Sequence, residues 1–401
     1  MKSFISLEEA VDILDKNVNC LGIEQVVLLD GIGRTLGENI YSKINNPPFN
    51  KSAMDGYAII AEDTKNCTCI LKVIDEIYAG MESEKTVERN TAIRIMTGAP
   101  IPIGANAVIK KEEVSLNEET IKINREVKVN ENVCFKGEDI NEGQLLIEKG
   151  KKLDYADIGI LASSGISEVN VYKKPIVGFI STGDEILDID KPLQNGKIYN
   201  SNKYSILGRI KELGYEVAYI DHEDDDYKMI GEKIKLATKV CDLILTTGGA
   251  SVGDKDLMKE AISNIDGEKL FWKVLMKPGS SVLCSKYNEK LIVSLSGNPT
   301  AALTSFELLA KTSLDKLSGK EKIEITRERA ILDNDFTKKS KQRRFLRGRV
   351  ISDINGERVE VTQTKSGNGI LSSTLNSNCL IELEPGNEGV KKGEVVTIIK
   401  F

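Results

Sequence analysis

The sequence predicts a multidomain α/β protein: a discontinuous N-terminal domain with a β-rich inserted module, a doubly wound α/β domain and a C-terminal β-barrel. The chain has 401 residues, enough at about 150 residues per domain for roughly two to four domains. Hydrophobic residues make up 40% of it, so it can bury several cores and is not disordered, collagen-like or coiled-coil. Strands and helices alternate only after Pro175, whereas short strands and turns dominate before it and after residue 320.

The first 171 residues are predicted to hold the discontinuous domain and the module inserted in it. The discontinuous domain comprises 1–45 and 141–171, with one helix starting at the capping box 6–9 (SLEE) and another at 154–164. The module, 46–140, begins with rigid prolines and continues as short apolar runs separated by turns.

The domain predicted for 172–318 shows regular alternation of strands and helices. The predicted elements are strand 176–180, helix 202–213, strand 215–220, helix 227–239, strand 242–246, helix 256–263, strands near 270–276 and 290–295, and helix 300–317. Such alternation argues for a parallel sheet covered by helices on both faces.

The last predicted domain, 325–401, reads as a small β-barrel. Its predicted strands are 344–351, 358–363, 380–383 and 394–399. Turns such as 355–356 (NG) separate them.

Composition excludes several classes of function. The single histidine cannot build a three-His zinc site or a two-His iron site, and His222, in the acidic run 221–226, reads as a solvated loop residue. The net charge of −6 argues against nucleic acid as a partner. Seven scattered cysteines and the lack of any run of about 20 apolar residues predict a cytoplasmic chain with no membrane contact.

Ligands of doubly wound domains bind beyond the carboxyl ends of the strands, where four loops of unusual composition are expected. These loops are 181–185 (STGDE), 247–253 (TGGASVG), 277–280 (KPGS) and 296–299 (SGNP). The glycines of the second loop could cradle a phosphate or form a structural turn, and Asp254 stands where a P-loop requires lysine.

The charged residues of these loops also have two interpretations each. Asp184 and Glu185 could cap a helix, which the loop in isolation favours, or bind Mg²⁺. Lys273 and Lys277, taken singly, are more often surface charges than ligands of an anion. In the first half, 52–58 (SAMDGYA), 94–100 (RIMTGAP) and 136–140 (KGEDI) could be turns or a second set of site residues.

Taken together, these segments resemble the signature of the molybdopterin molybdenumtransferase family, the molybdate insertases related to the C-terminal region of gephyrin. The segments that carry the resemblance are 48–58 (PFNKSAMDGYA), 96–100 (MTGAP), 137–140 (GEDI), 181–185 (STGDE), 200–202 (NSN), 247–253 (TGGASVG), 276–279 (MKPG) and 297–299 (GNP). They occur in order over nearly the whole chain.

The resemblance implies a reaction and an assembly. Molybdate would enter the dithiolene of adenylylated molybdopterin, the adenylate would be hydrolysed, and AMP and molybdenum cofactor would leave. The enzyme would use Mg²⁺ and form a homodimer, with a shared cleft between the molybdopterin-binding domain, 172–318, of one subunit and the inserted module of the other. The upstream adenylyltransferase is a further expected partner.

The resemblance also assigns site residues. The catalytic set is Asp55, Thr97, Asp139, Lys273, Lys277 and Arg347. The substrate-binding set is Glu185, Ser201, Asn202, Asp225, Gly248, Gly249, Ser251, Asp256, Pro278, Gly279, Gly297 and Asn298. Glu185 and Asp225 would hold Mg²⁺, Asp256 would bind the pterin, and Arg347 would bind the oxyanion. Asp55, Thr97 and Asp139 would orient water or close the cleft.

The chain departs from the family pattern at three places. Ser280 and Ser281 replace a lysine and a proline, Ser296 replaces a proline, and Asn368 replaces a serine. The departures at Ser280 and Asn368 motivate one alternative, a paralogue that inserts tungstate or acts on a modified pterin. A noncatalytic scaffold of the same fold is the other alternative.

Overall fold

The computed structural model describes residues 1–65, 68–249, 257–353, 356–362 and 370–401. They form two compact units, the larger from Met1–Glu24 and Tyr172–Phe401 and the smaller from Gln25–Val171. The four-domain division stays a prediction, and the contacts place Met1–Glu24 with the larger unit. No helix in the described ranges is long and apolar enough to cross a membrane.

A seven-stranded mixed sheet forms the centre of the larger unit. Across the sheet the strands are Lys2–Ile5, Glu268–Val274, Leu283–Tyr287, Lys290–Leu295, Leu243–Thr247, Ile176–Thr182 and Glu216–Glu223. The last four are parallel neighbours, so their carboxyl ends meet at one edge of the sheet. Leu283–Tyr287 runs antiparallel to both of its neighbours.

Helices cover both faces of this sheet. They are Leu7–Asn17, Ser201–Glu212, Tyr227–Ala237, Leu257–Asn264, Pro299–Ser305 and Lys311–Leu317, with the π-helical turn Phe306–Ala310 joining the last two. Phe179 packs on one face with Ile206 and Leu309, whereas the next residue, Ile180, packs on the other with Ile234. Successive residues of a buried strand therefore supply two different cores.

The C-terminal part of the larger unit is a closed β-barrel. Its strands are Glu328–Leu332, Arg343–Asp353, Gly356–Val361, Cys379–Leu383 and Val395–Lys400. Arg343–Asp353 pairs with both Gly356–Val361 and Cys379–Leu383, which closes the ring. A short strand from the α/β part, Met276–Lys277, adds to Arg343–Asp353 in parallel.

The smaller unit is rich in short strands. Its main sheet has the strand order Ala107–Lys110, Gly56–Ile59, Thr91–Ile95, Cys69–Ile77, Thr120–Ile123 and Val114–Asn117. Three two-stranded pairs accompany it: Lys51–Ser52 with Val133–Cys134, Ile40–Tyr41 with Leu145–Ile147, and Ile23–Val27 with Glu168–Tyr172, of which residues 25–27 and 168–171 belong to this unit. The helix Tyr155–Ser163 begins with a full capping box between Asp154 and Asp157.

The predicted multidomain α/β class with a β-rich module and a terminal barrel is confirmed, and three local details differ. The sheet is mixed rather than parallel, because Leu283–Tyr287 enters it antiparallel. Lys2–Ile5, which the sequence did not indicate as a strand, pairs with Glu268–Val274. No helix follows the 181–185 loop directly; two short parallel strands, Ile186–Leu187 and Ile198–Tyr199, come first.

Candidate active site

Acidic side chains converge at the carboxyl edge of the parallel strands. The backbone N–H of Asp225 donates to Oδ1 of Asp184 at 2.9 Å. The carboxylate of Glu185 folds back over Gly183, where an added Cβ would lie 2.5 Å from Oε2. Burial, and then the facing charges of Asp184 and Glu185, raise the pKa of Asp225. The site therefore holds carboxylates whose mutual repulsion outweighs the opposing effect of His222 on Asp225.

This donor set fits Mg²⁺ only in part. Within the described ranges no group of three or more His, Cys, Asp or Glu side chains could hold a metal ion alone. Mg²⁺ is commonly bound by one or two carboxylates together with substrate phosphates, and the mutual repulsion at Asp225 is what a cation there would relieve. The capping interpretation of Asp184 and Glu185 is wrong, because the next helix begins at Ser201 and is capped by Asn200.

The glycines after Leu243–Thr247 allow two loops to approach each other closely. Gly248 has φ +96°, and a Cβ there would lie 2.3 Å from the carbonyl oxygen of Thr182. Gly249 also has positive φ, at +64°. Only glycine fits this approach without strain. Ser251 and Asp256 lie outside the described residues, so the phosphate cradle and the structural turn both stay predictions.

The predicted residues of the 200–202 and 297–299 segments lie together. Ser201 is the first residue of its helix, and Nδ2 of Asn202 donates to the carbonyl oxygen of Gly297 at 2.8 Å. Oδ1 of Asn202 is buried with no hydrogen-bond partner, which leaves it free to accept from a ligand. Oδ1 of Asn298 accepts from the backbone of Thr300 and so caps the helix Pro299–Ser305.

A cavity of about 690 Å³ lies where the α/β part meets the barrel in the larger unit. Five predicted site residues line it: Lys277, Pro278, Gly279, Asn298 and Arg347. Three of the four residues that depart from the family pattern line it too: Ser280, Ser281 and Ser296. The fourth, Asn368, lies outside the described residues. The volume is in the range of small-molecule sites.

Arg347 is a buried cation in this cavity. It is only 6% exposed, and its Nε and Nη2 have no hydrogen-bond partner. Burial lowers the pKa of its guanidinium to about 10. The guanidinium carbon lies 4.9 Å from the centre of the Phe401 ring, in a cation–π contact. The nearby carboxylate of Glu307 is paired with Arg209, so an anion in the cavity would supply the hydrogen-bond acceptor that Arg347 lacks.

The two predicted lysines occupy different environments. Lys277 is exposed and lies on the cavity wall. Lys273 is 8% exposed, is not part of that wall, and its Nζ lies 4.0 Å from the centre of the Trp272 ring. The expectation of two surface charges is therefore wrong for Lys273. Its catalytic role stays a prediction.

The smaller unit holds the second predicted set. Both the backbone N–H and the hydroxyl of Thr97 donate to Oδ1 of Asp55, at 3.0 and 2.8 Å, and Lys111 lies 3.2 Å from Oδ2. The Thr97 backbone, the Thr97 hydroxyl and Lys111 lower the pKa of Asp55 to about 2. Asp139 instead accepts from Nδ2 of Asn46 at 3.2 Å, and in the described ranges no hydrogen bond or ion pair joins it to Asp55.

Sequence reasoning missed or misplaced three residues. Lys111 follows an ordinary strand and has no motif, and Arg344 is the second of two adjacent arginines, so neither carried a signal. His222 is not a solvated loop residue, because it lies in the strand Glu216–Glu223 with its Nδ1 3.0 Å from the hydroxyl of Ser181.

Comparison with protein families agrees with this architecture. The MoeA N-terminal region (domain I and II) matches residues 5–165, the probable molybdopterin binding domain matches 178–316, and the MoeA C-terminal region (domain IV) matches 329–401.

Individual relatives span almost the whole chain. The molybdopterin molybdenumtransferase of Staphylococcus epidermidis is 36% identical over 400 residues, 98% of this chain and 95% of that protein. The enzyme of that name from Staphylococcus aureus is 35% identical over 399 residues, with the same coverage. The crystal structure of the molybdopterin biosynthesis moeA protein from Pyrococcus horikoshii OT3 is 33% identical, with a TM-score of 0.82 over 99% of this chain and all of that one. This chain is thus a member of the molybdopterin molybdenumtransferase family.

Proposed function

We propose that the protein inserts molybdate into adenylylated molybdopterin, with hydrolysis of the adenylate and release of AMP. The observation that carries the proposal is the cavity of about 690 Å³, which is lined by Lys277 and by the buried Arg347, whose Nε and Nη2 have no hydrogen-bond partner. The names of the full-length relatives support the same chemistry.

The cavity would bind the oxyanion. Arginine keeps its charge at physiological pH and presents fixed donors that suit a tetrahedral dianion. Hydroxyls of Ser280 and Ser281 line the same wall and can donate hydrogen bonds to oxygen. The dithiolene sulfurs of the pterin would there replace oxygen ligands of molybdate.

The edge of the parallel strands would bind the pterin and its diphosphate. Glu185 and Asp225 would hold Mg²⁺ together with phosphate oxygens, and the bound ion would offset the charge of the diphosphate. Gly248 lets the 248–249 backbone pass close to the carbonyl oxygen of Thr182, which brings the two loops together at this edge. The unpartnered Oδ1 of Asn202 would accept a hydrogen bond from an N–H of the pterin. Asp256, outside the described residues, is proposed to bind the pterin as well.

Asp55 would act as a fixed anion rather than as a general base. Three donors stabilise its ionised form and hold its pKa at about 2, and a base with so little affinity for protons is inefficient near neutral pH. Its proposed task is to orient water or a donor group of the substrate, with Thr97 setting its position. Asp139 is proposed to serve the same site.

The proposed assembly is a homodimer. In it the inserted module of one subunit would meet the molybdopterin-binding domain of the other, so that each site draws on both chains. The upstream adenylyltransferase is the proposed source of the substrate. Mixing Asp55→Ala with Lys277→Ala subunits tests the shared site: a mixed dimer should regain one intact site of its two, about half the activity of a wild-type dimer, and no recovery would contradict sharing.

The reaction itself is tested by adding molybdate to the purified protein and adenylylated molybdopterin. We expect AMP and molybdenum cofactor to appear together, and both to be lost in Lys277→Ala. A folded wild-type protein that forms neither product would refute the proposal and favour a noncatalytic scaffold.

One observation keeps a second candidate function in view. Ser280 and Ser281, which replace a lysine and a proline of the family pattern, line the cavity. The change alters the lining of the cavity where the oxyanion would bind, and this departure motivates insertion of tungstate as the second candidate. Competition between molybdate and tungstate at equal concentration decides this, and a clear molybdate preference eliminates the second candidate.

A further inference from the structure

We infer that Arg344 is a second oxyanion-binding residue, which with Lys277 forms a two-cation clamp able to bind molybdate before the pterin nucleotide arrives. The inference rests on the proposed function, because it names a further residue of the same site. It is carried by the burial and the missing partners of Arg344.

Arg344 is buried in the wall of the cavity without an acid to neutralise it. It is 7% exposed, and its Nε is buried with no hydrogen-bond partner. Among the described residues, its guanidinium takes part in no hydrogen bond or ion pair. Burial alone lowers its pKa, with no carboxylate among the causes. Keeping an unpaired charge buried is unfavourable unless a ligand compensates it.

Acidic side chains do lie within reach of this strand, as the neighbouring Arg343 shows. Arg343 lies next to Arg344 and is paired with Glu8, Glu382 and Glu384. The two side chains point to opposite faces of the strand. One arginine of the pair is therefore used for structure, while the other is left free in the cavity.

Arg344 and Arg347 reach the cavity from different sides. Three residues apart on one strand, they fall on opposite faces, and each stacks on a different ring. Arg344 lies 5.5 Å from the centre of the Phe336 ring, whereas Arg347 lies on Phe401. An anion held by Arg344 therefore needs its second cation on the face of Arg344 itself, where the register partner on the adjoining strand lies.

Lys277 completes the clamp. In the parallel pairing of Met276–Lys277 with Arg343–Asp353, Lys277 is the register partner of Arg344. Among the described residues that line the cavity, the only acidic one is Asp335, against the cations Lys277, Lys338, Arg344 and Arg347. Neither Arg344 nor Lys277 lies in the 181–185 or 248–249 loops. Binding of molybdate should therefore not require the pterin nucleotide.

The experiment measures molybdate binding to the full-length protein by equilibrium dialysis without nucleotide. Arg344→Gln should raise the Kd for molybdate about tenfold or more, because a charged fork is lost. Arg344→Lys, which keeps the charge but loses the fork, should fall between. Arg349→Gln is the matched control, since Arg349 is exposed on the same strand and should leave the Kd unchanged.

A second measurement separates a ligand-binding role from a structural one. Without molybdate, Arg344→Gln should unfold at the same or a higher temperature than the wild type, since an unpaired buried charge is removed. Saturating molybdate should raise the unfolding temperature of the wild type more than that of the variant. If both Arg344→Gln and Arg344→Lys lower the unfolding temperature or fail to fold, Arg344 is structural and the inference is wrong.

The remaining outcomes are also decisive. A wild-type protein that does not bind molybdate without nucleotide, or an Arg344→Gln variant that binds it normally, overturns the clamp even if cofactor is formed. Conversely, if Arg344→Gln loses molybdate binding while the wild type forms no cofactor, the clamp stands and the proposed function fails.

Discussion

The cavity of the larger unit and the Asp55 cluster of the smaller unit (Asp55, Thr97 and Lys111) differ in how far the protein satisfies their charged groups. Asp55 is exposed, yet Thr97 and Lys111 satisfy its carboxylate with three donors. Arg347 is buried, yet its Nε and Nη2 have no partner. Exposure alone would predict partners for Arg347 rather than for Asp55, because water can solvate the exposed carboxylate but not the buried guanidinium.

The difference indicates how each group is used. A carboxylate already held by its own chain is oriented before any substrate arrives, so it can position a ligand but gains little new bonding. An unpaired guanidinium is costly until an anion binds, so its full interaction energy is available to the ligand. Substitutions in the cavity should change binding, whereas those in the Asp55 cluster should change orientation and acid stability.

The largest effect is expected for Lys277→Ala. Loss of a cation that faces the substrate anions should lower kcat/KM for molybdate about a hundredfold. Stability should hardly change, since the side chain is exposed and has no ion pair among the described residues. Steady-state kinetics and thermal unfolding check both parts, with the exposed barrel lysine Lys341→Ala as control. A fall in unfolding temperature that matches the loss of activity would show that Lys277 acts through stability, and would contradict the claim that cavity substitutions change binding.

A smaller effect is expected for Glu185→Gln. Removing one carboxylate from the site should raise the Mg²⁺ concentration for half-maximal activity about tenfold. A Mg²⁺ titration of activity in metal-free buffer measures this, and Glu232→Gln, at an exposed ion pair, is the control. An unchanged Mg²⁺ requirement would remove Glu185 from the proposed metal site.

A still smaller effect is expected for Phe401→Leu. The ring contacts the guanidinium carbons of Arg347 at 4.9 Å and Arg209 at 5.6 Å. A cation–π contact of about 0.5–1 kcal/mol corresponds to a roughly two- to fivefold rise in KM for molybdate, with kcat little changed. Phe401→Tyr, which keeps the ring, should behave as wild type. If kcat falls instead, the ring does more than position Arg347.

The smallest effect is expected for Thr97→Val, at acidic pH. The folded pKa of Asp55 is about 2 against an ordinary 3.8, so its stabilising contribution is present above about pH 4 and is lost as the pH falls towards 2. Losing the hydroxyl donor should raise the folded pKa of Asp55 and narrow the pH range over which its ionised form stabilises the fold. Carboxyl NMR of Asp55 over a range of about pH 1.5–5, which spans the ordinary and the lowered pKa of an aspartate, measures the change in its pKa. Thr120→Val, in the strand Thr120–Ile123, is the control. An unchanged pKa would show that the backbone N–H and Lys111 suffice.

Local features of the fold could be predicted because neighbouring residues determine them. The 296–299 segment predicted the start of a helix, and Asn298 does cap Pro299–Ser305. The strand Lys2–Ile5 could not be predicted, because its partner Glu268–Val274 is far away in the chain. Likewise the antiparallel entry of Leu283–Tyr287 depends on pairing with its neighbours, which hydrophobic pattern alone does not specify.

For the candidate site, the sequence by itself determined which residue types stand at the ends of the strands and where glycine allows close approach, as at Gly248. It also carried the family resemblance through ordered motifs. Only the tertiary structure decided which charges are neutralised. Arg343 and Arg344 are adjacent and chemically identical, but Arg343 pairs with Glu8, 335 positions away, whereas Arg344 is left in the cavity. Motifs reflect residues close in sequence, while the compensation of a charge depends on which distant side chains the fold brings within a few ångströms.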